Sequence, residues 1–381
     1  MIDTYIKNNY DEMKKILRDL CLIPAPSHHE EKRAEYCKKW FESIGAEGVY
    51  IDSAKNVVFP LNCDGSNEIT VFVAHTDTVF PDTEPMPYYE ENGRAYSPGV
   101  GDDTASVVVL MMCAKYLVEN GITPDKGVLF VCNSCEEGLG NLKGVKQIMA
   151  DFSGRVKQFV SFDANIGHMH PDCVGSSRYE VAVKCEGGHS LYEFGKENAI
   201  RKLSEIVTEI YKIQVPEKEG KKTTYNVGMI EGGTSVNTIA QSAKMLCEYR
   251  SDDAGCLEIM RDRFNEIFEN AKSDEAEIEV TVIGERPCSN VDEVKQTQVV
   301  KKCENAMISV TNEAVKFNNA STDCNVPASM GIPSVCIGVF IGGGMHTREE
   351  YIELDSLKPG LEIGINTVLD LTAKDQEGDT K

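Results

Sequence analysis

Polar residues able to bind metals or move protons stand directly behind apolar runs of this sequence. Ile69 to Val73 empties into Ala74-His75-Thr76-Asp77, Val128 to Cys132 into Asn133-Ser134-Cys135-Glu136-Glu137, and Phe159 to Phe162 into Asp163. A late run, Ser334 to Phe340, leads to Gly342-Gly343-Gly344-Met345-His346, and Gly101-Asp102-Asp103 comes immediately before a helical pattern starting at Thr104. In open α/β sheets ligands gather beyond the carboxyl ends of the strands, so these residues meet at one rim. Two imidazoles with three or more carboxylates form a mixed N/O donor set suited to Zn, Co or Mn. One ion leaves donors over. Two ions roughly 3.5 to 4 Å apart, sharing a bridging carboxylate, give each one histidine, one terminal carboxylate and part of the bridge. Neighbours on extended backbone project in opposite directions, so one of Glu136 and Glu137 can ligate while the other shuttles protons. Asp77, two residues after His75, can accept the other ring N–H of that histidine and fix its tautomer.

The elements that must position these groups follow from periodicity. Helical spacing covers residues 3–20, then about Glu30 to Ile44, with Gly45 as a stop, and Pro24 and Pro26 separate the two. Short apolar runs then alternate with helices at Thr104 to Glu119 and near Leu142 to Ala150, the grammar of an α/β fold with a mostly parallel sheet flanked by helices. Between residues 175 and 287 the pattern changes. Tyr179, Val181, Val183 and Cys185 alternate with polar neighbours, as do Ala276, Ile278, Val280 and Val282, so these strands have one wet face. With helices at about 195–212 and 254–271 and strands near 224–230 and 243–250, the order is β-α-β-β-α-β, a ferredoxin-like α+β module. The expected organisation is a discontinuous catalytic domain, 1–174 and 288–381, with an inserted domain at 175–287. A helix from Val294 to Thr311 resumes the larger domain, and a polar tail follows Ala373.

The 381 residues exceed what one core usually supports, and 41% hydrophobic with 26% charged residues is ordinary globular usage. The apolar stretch Val107 to Ala114 is far short of the roughly 20 residues of a membrane-spanning helix. Met1 to Lys15 has no apolar core of a secretory signal, so a cytoplasmic location is expected. The 14 cysteines are dispersed and read as reduced, buried small hydrophobes. Thirty-nine basic against 61 acidic residues leave a net charge of -22, which repels nucleic acid and anionic lipid.

Taken together, Ala74-His75-Thr76-Asp77, Gly101-Asp102-Asp103, Glu136-Glu137-Gly138, Ser161-Phe162-Asp163, Gly187-Gly188-His189-Ser190, Gly195 with Asn198-Ala199-Ile200, Gly232-Gly233-Thr234 with Asn237, Ser321-Thr322-Asp323 and Gly344-Met345-His346-Thr347 resemble the M20 metallopeptidases, in particular their peptidase T-like branch. The resemblance covers nearly the whole chain. It implies two divalent metal ions per subunit, Zn first with Co or Mn as alternatives. Asp102 would bridge them, His75 and Asp163 would hold one, and Glu137 and His346 the other. Glu136 would be the general base, taking a proton from the attacking water and delivering it to the leaving amine, and Asp77 would orient His75. The inserted domain would be a lid and homodimerisation module whose His189 stabilises the tetrahedral oxyanion. Asn237 and Arg250 would contact substrate, Arg250 through a carboxylate. The Asp102-Asp103 link resembles the family's cis peptide. One departure is Thr104, where the family often has a basic residue, and Leu191-Tyr192-Glu193 after His189 is idiosyncratic.

The implied activity is an exopeptidase acting on small peptides, a tripeptide or dipeptide aminopeptidase. Deacylation of an N-acyl amino acid needs the same water attack, and a non-catalytic binding module of the same fold is the rival from another class. His28, His29, His168 and His170 match no motif position and read as surface or supporting residues. Cys132 and Cys135 have CxxC spacing without a partner pair, which favours a structural role. Ser251-Asp252-Asp253 reads as a solvated helix start, and Arg250 could equally be a surface strand residue.

Overall fold

The computed structural model describes residues 1–373, so the tail after Ala373 lies outside the described residues. The chain forms two compact units, one from Met1–Cys173 with the chain from Asn290 onward, the other from Val174–Ser289.

The larger unit is built on an eight-stranded sheet in the order Tyr50–Ile51, Val57–Leu61, Gly127–Asn133, Ile69–His75, Val156–Asn165, Ser334–Phe340, His168–His170, Lys316–Phe317. Its four central strands run parallel to one another. Three of them are buried at every position, which explains why they read as continuous apolar runs and not as alternations. Successive side chains point to opposite faces. Phe72 and Ala74 enter a core shared with the helices Ile2–Cys21, Ser106–Glu119 and Leu357–Thr372, whereas Ile69, Val71 and Val73 enter a second core with Lys143–Asp151. Ser106–Glu119 is buried at every position from Ser106 to Leu117, so its apolar stretch belongs to a helix packed on all sides. Among the described residues no helix is long and apolar enough to cross a membrane.

Phe72 stands three residues before His75 on the strand Ile69–His75. Its ring stacks on Phe130 at 5.9 Å and packs against Phe162 at 6.1 Å. Phe72→Ala is expected to cost about 3–5 kcal/mol, because the lost transfer energy is joined by a cavity in a rigid core. Denaturant unfolding followed by far-UV circular dichroism would register it as a lower midpoint.

The smaller unit is an antiparallel sheet in the order Thr223–Gly232, Ser242–Ser251, Gly175–Lys184, Glu277–Arg286, with helices Ala199–Ile210 and Ala254–Ala271 packed on its apolar side. Asn198 accepts from Ile200 N and Arg201 N and caps the first helix. Asp253 accepts from Cys256 N and caps the second. A short ribbon, Gly188–His189 paired with Thr238–Ile239, completes this unit.

The helix Leu357–Thr372 and a small sheet of Gly342–Gly343, Tyr351–Glu353, Arg94–Tyr96 and Tyr89–Glu91 are additions to the sequence reading. Strands of two or three residues are too short to show a period. All 14 cysteines are free, 13 of them buried and Cys185 half-buried.

Candidate metal centre

His75 closes its strand with a buried ring whose Nδ1 lies 3.0 Å from the backbone oxygen of Asp77. A carbonyl can only accept, so Nδ1 carries the hydrogen and Nε2 is left to face Asp102, 3.0 Å from its Oδ1. The other oxygen of Asp102, Oδ2, is 3.0 Å from Nε2 of His346, which in turn lies 3.3 Å from Oε1 of Glu137. Asp102 therefore presents one oxygen to each histidine. Donor atoms of His75, Asp102 and Glu137 fall within 4.8 Å of one another, as do those of His75, Asp103 and Asp163. Asp103 in this second group was given no role by the sequence reading.

The loop carrying Asp102 is shaped by close approach. Gly99 has φ 74°, and a Cβ on Gly101 would stand 2.9 Å from the Phe340 ring. The Asp102-Asp103 peptide is cis. Buried Glu350 accepts from Gly99 N, Gly101 N and Asp102 N, each at 2.8 Å. Asp103 Oδ2 accepts from His75 N at 3.0 Å and so ties the loop to the strand end. Thr104, where a basic residue was missing, meets one from elsewhere: the buried Arg33 donates from Nη1 to Thr104 Oγ1 at 3.2 Å and to Thr76 O at 2.9 Å.

Asp77 does more than the sequence suggested. Its carbonyl takes the His75 ring N–H, while its carboxylate accepts from Glu136 N and Glu137 N at 3.0 Å each and from Ser27 Oγ at 2.6 Å. The carboxylate itself stands 3.5 Å from His75 Nδ1. It thus fixes the backbone from which both glutamates project. Asp77→Ala is expected to lower kcat about 10- to 100-fold. Steady-state kinetics on protein of verified metal content would measure the loss.

The electrostatics fit a cation site. Burial alone would raise the Asp102 carboxyl, yet hydrogen bonds from His346 and His75 hold it well below the usual range. His346 is lifted to about 10 by Asp102 and Glu137. Burial works against protonation of His75, but Asp102 and Asp77 carry it well above its ordinary value. Glu137 is pushed up to about 7, mainly by burial. Asp163 is raised well above its ordinary value by burial and by Asp103 and Asp102. Crowded buried and half-buried carboxylates, offset by two imidazoles and by the Arg33 guanidinium beside Asp77, form an N and O donor set that suits two divalent cations.

His189, Asn237 and Arg250 lie in the smaller unit. His189 is exposed and pairs in register with Thr238, next to Asn237, whose carbonyl accepts from Ser190 N at 3.0 Å. Arg250 sends Nε and Nη2 to the carboxylate of Glu248 at 2.8 and 3.0 Å, so its fork already has a partner. Asp323, given only as part of a motif, is a buried carboxyl pushed up to about 8 by burial and then by Glu136, and it accepts from Asn133 Nδ2 at 2.8 Å.

The model of peptidase family M20/M25/M40 matches residues 71–370. This chain belongs to that family. It is an M20-type metallopeptidase, a hydrolase of peptide or amide bonds. It is 24% identical to peptidase T of Clostridium perfringens over 76% of this chain and 72% of that protein. It is 22% identical to carboxypeptidase G2 of a Pseudomonas species over 84% of this chain and 77% of that one. Among solved structures, a tripeptidase of Staphylococcus aureus superposes with a TM-score of 0.76 at 20% identity, covering 96% of this chain and 99% of that one. The mixed α/β fold is that of these enzymes.

Proposed function

We propose that this M20 enzyme is a dinuclear exopeptidase that removes the amino-terminal residue of tripeptides or dipeptides. The observation that carries the reading is Asp102, which offers one oxygen to His75 and the other to His346, beside the Glu136-Glu137 pair clamped by Asp77. His75 and Asp163 would hold one divalent ion, His346 and Glu137 the other, and Asp102 both, with Zn first and Co or Mn as alternatives. Bound there, the ions would supply Lewis-acid activation of the carbonyl and the attacking water.

The protein's own groups do the rest. Glu136 takes a proton from the water and returns it to the leaving amine. Asp77 and Ser27 keep it aimed. In the smaller unit, His189 is assigned to the oxyanion and Asn237 to substrate, while Arg250 would have to exchange Glu248 for a substrate carboxylate. Homodimerisation is assigned to the same unit, whose edge strands leave Met229, Ile230 and Val282 exposed. A cytoplasmic location goes with this reading.

Free, amino-blocked and carboxyl-blocked di- and tripeptides, assayed with metal-reconstituted protein, test the proposal. Cleavage confined to peptides with a free amine is expected. Turnover of amino-blocked substrates alone would assign deacylation instead.

A further inference from the structure

The strand His168–His170, whose two histidines match no motif in the sequence, borders the candidate metal centre. His168 and His170 line a pocket of about 290 Å³ with Asp102, Asp163, Asn165, Phe340 and Met345. That volume sits at the small end of ligand pockets and suits a single residue. Two of its walls are carboxylates assigned to the metal ions, so an occupant lies directly beside the bond to be cut.

Two polar groups of the pocket have defined roles. His170 Nδ1 is 2.9 Å from the backbone oxygen of Asn318. The carbonyl can only accept, so Nδ1 is protonated and Nε2 of the neutral ring is a bare acceptor. Burial lowers the pKa of His170 and so favours that neutral ring. The Asn165 side-chain atom facing Gly342 N at 2.6 Å must be its oxygen, which leaves the amide NH2 to donate. Phe340 and Met345 supply apolar wall. One acceptor, one donor and an apolar side describe a site for an amino-acid residue whose amine donates to Nε2. An acyl group such as acetyl has no N–H to offer and would leave Nε2 unpaired.

We propose that this pocket receives the amino-terminal residue of the peptide, with His170 Nε2 accepting a hydrogen bond from the α-ammonium, the Asn165 amide donating to the residue's carbonyl oxygen, and Phe340 and Met345 packing against its side chain. This assignment rests on the exopeptidase reading and gives it a polarity. His170 is then a specificity-determining residue that an aminopeptidase needs and a deacylase does not.

The test is binding, which requires no turnover. Leucine and 4-methylpentanoate differ only in the α-amine, and their Kd values are measured by titration calorimetry on metal-loaded wild type, His170→Leu and His170→Gln. Wild type is expected to bind leucine about 10- to 100-fold tighter, the scale on which a buried polar group left unpaired discriminates. His170→Leu is expected to abolish that ratio without weakening 4-methylpentanoate, and His170→Gln, which keeps an acceptor, to retain a preference for leucine. A wild-type ratio near one, a ratio unchanged in His170→Leu, or equal loss of both ligands in that variant would overturn the assignment. Failure of wild type to cleave any peptide would instead overturn the exopeptidase reading, so the two failures are separable.

Discussion

Glu136→Gln is expected to lower kcat about 10²- to 10⁴-fold while leaving bound metal and thermal stability unchanged. The carboxamide keeps the shape of the side chain and can still accept a hydrogen bond, but it cannot take a proton. Glu136 belongs to neither group of clustered donor atoms, so metal content should stay at the wild-type level. Its backbone N–H also keeps Asp77 Oδ1 as acceptor, so the clamp persists. Stopped assays over hours would measure the residual rate, and elemental analysis the metal. Activity within threefold of wild type would remove Glu136 from the mechanism.

The second large effect is expected from Asp102→Ala. Each oxygen of Asp102 faces a different histidine at 3.0 Å, so the side chain is the shared member of both halves of the site. Removing it should weaken both ions together, in contrast to His346→Ala, which should weaken one. Hydrolysis should fall by at least about 10³-fold, because an M20 enzyme without its metals loses several kcal/mol of charge stabilisation at the reacting carbonyl. A second readout is independent of activity. Free metal at 100 times its Kd stabilises a folded protein by about 2.7 kcal/mol per site. Wild type should melt higher as Zn is added, and Asp102→Ala should not. An undiminished metal-induced shift in the variant would mean that the ions bind elsewhere.

The candidate donors His75, Glu137 and Asp102 could be picked out in the sequence because each stands next to a feature that composition reveals. His75 ends an apolar run, the glutamate pair lies three residues past the end of the strand Gly127–Asn133, and Asp102 comes just before a long apolar helix. The strands Gly175–Lys184 and Glu277–Arg286 of the smaller unit were legible because apolar and polar residues alternate over much of their length. What escaped has no local signature. Glu350 and Arg33 organise the Asp102 loop across 248 and 71 residues of sequence, and nothing near either residue announces the contact. Asp77 was seen as a partner for His75, but its clamp on Glu136 and Glu137 joins two strand ends and needs the parallel pairing of Ile69–His75 with Gly127–Asn133. His346 was expected behind the strand Ser334–Phe340. It sits beyond a further two-residue strand, with φ 63°, a placement set by the small sheet that periodicity missed. His168 and His170 were discounted because they match no motif, yet their strand lies between Ser334–Phe340 and Lys316–Phe317 and brings both to the pocket.

Sharing of Asp102 by two cations would be visible in anomalous X-ray scattering from crystals of the zinc-loaded protein, recorded at the zinc edge. Two peaks roughly 3.5 to 4 Å apart are predicted, one beside His75 and Asp163 and the other beside His346 and Glu137, with Asp102 between them. A single peak, or peaks remote from Asp102, would rule out a shared carboxylate.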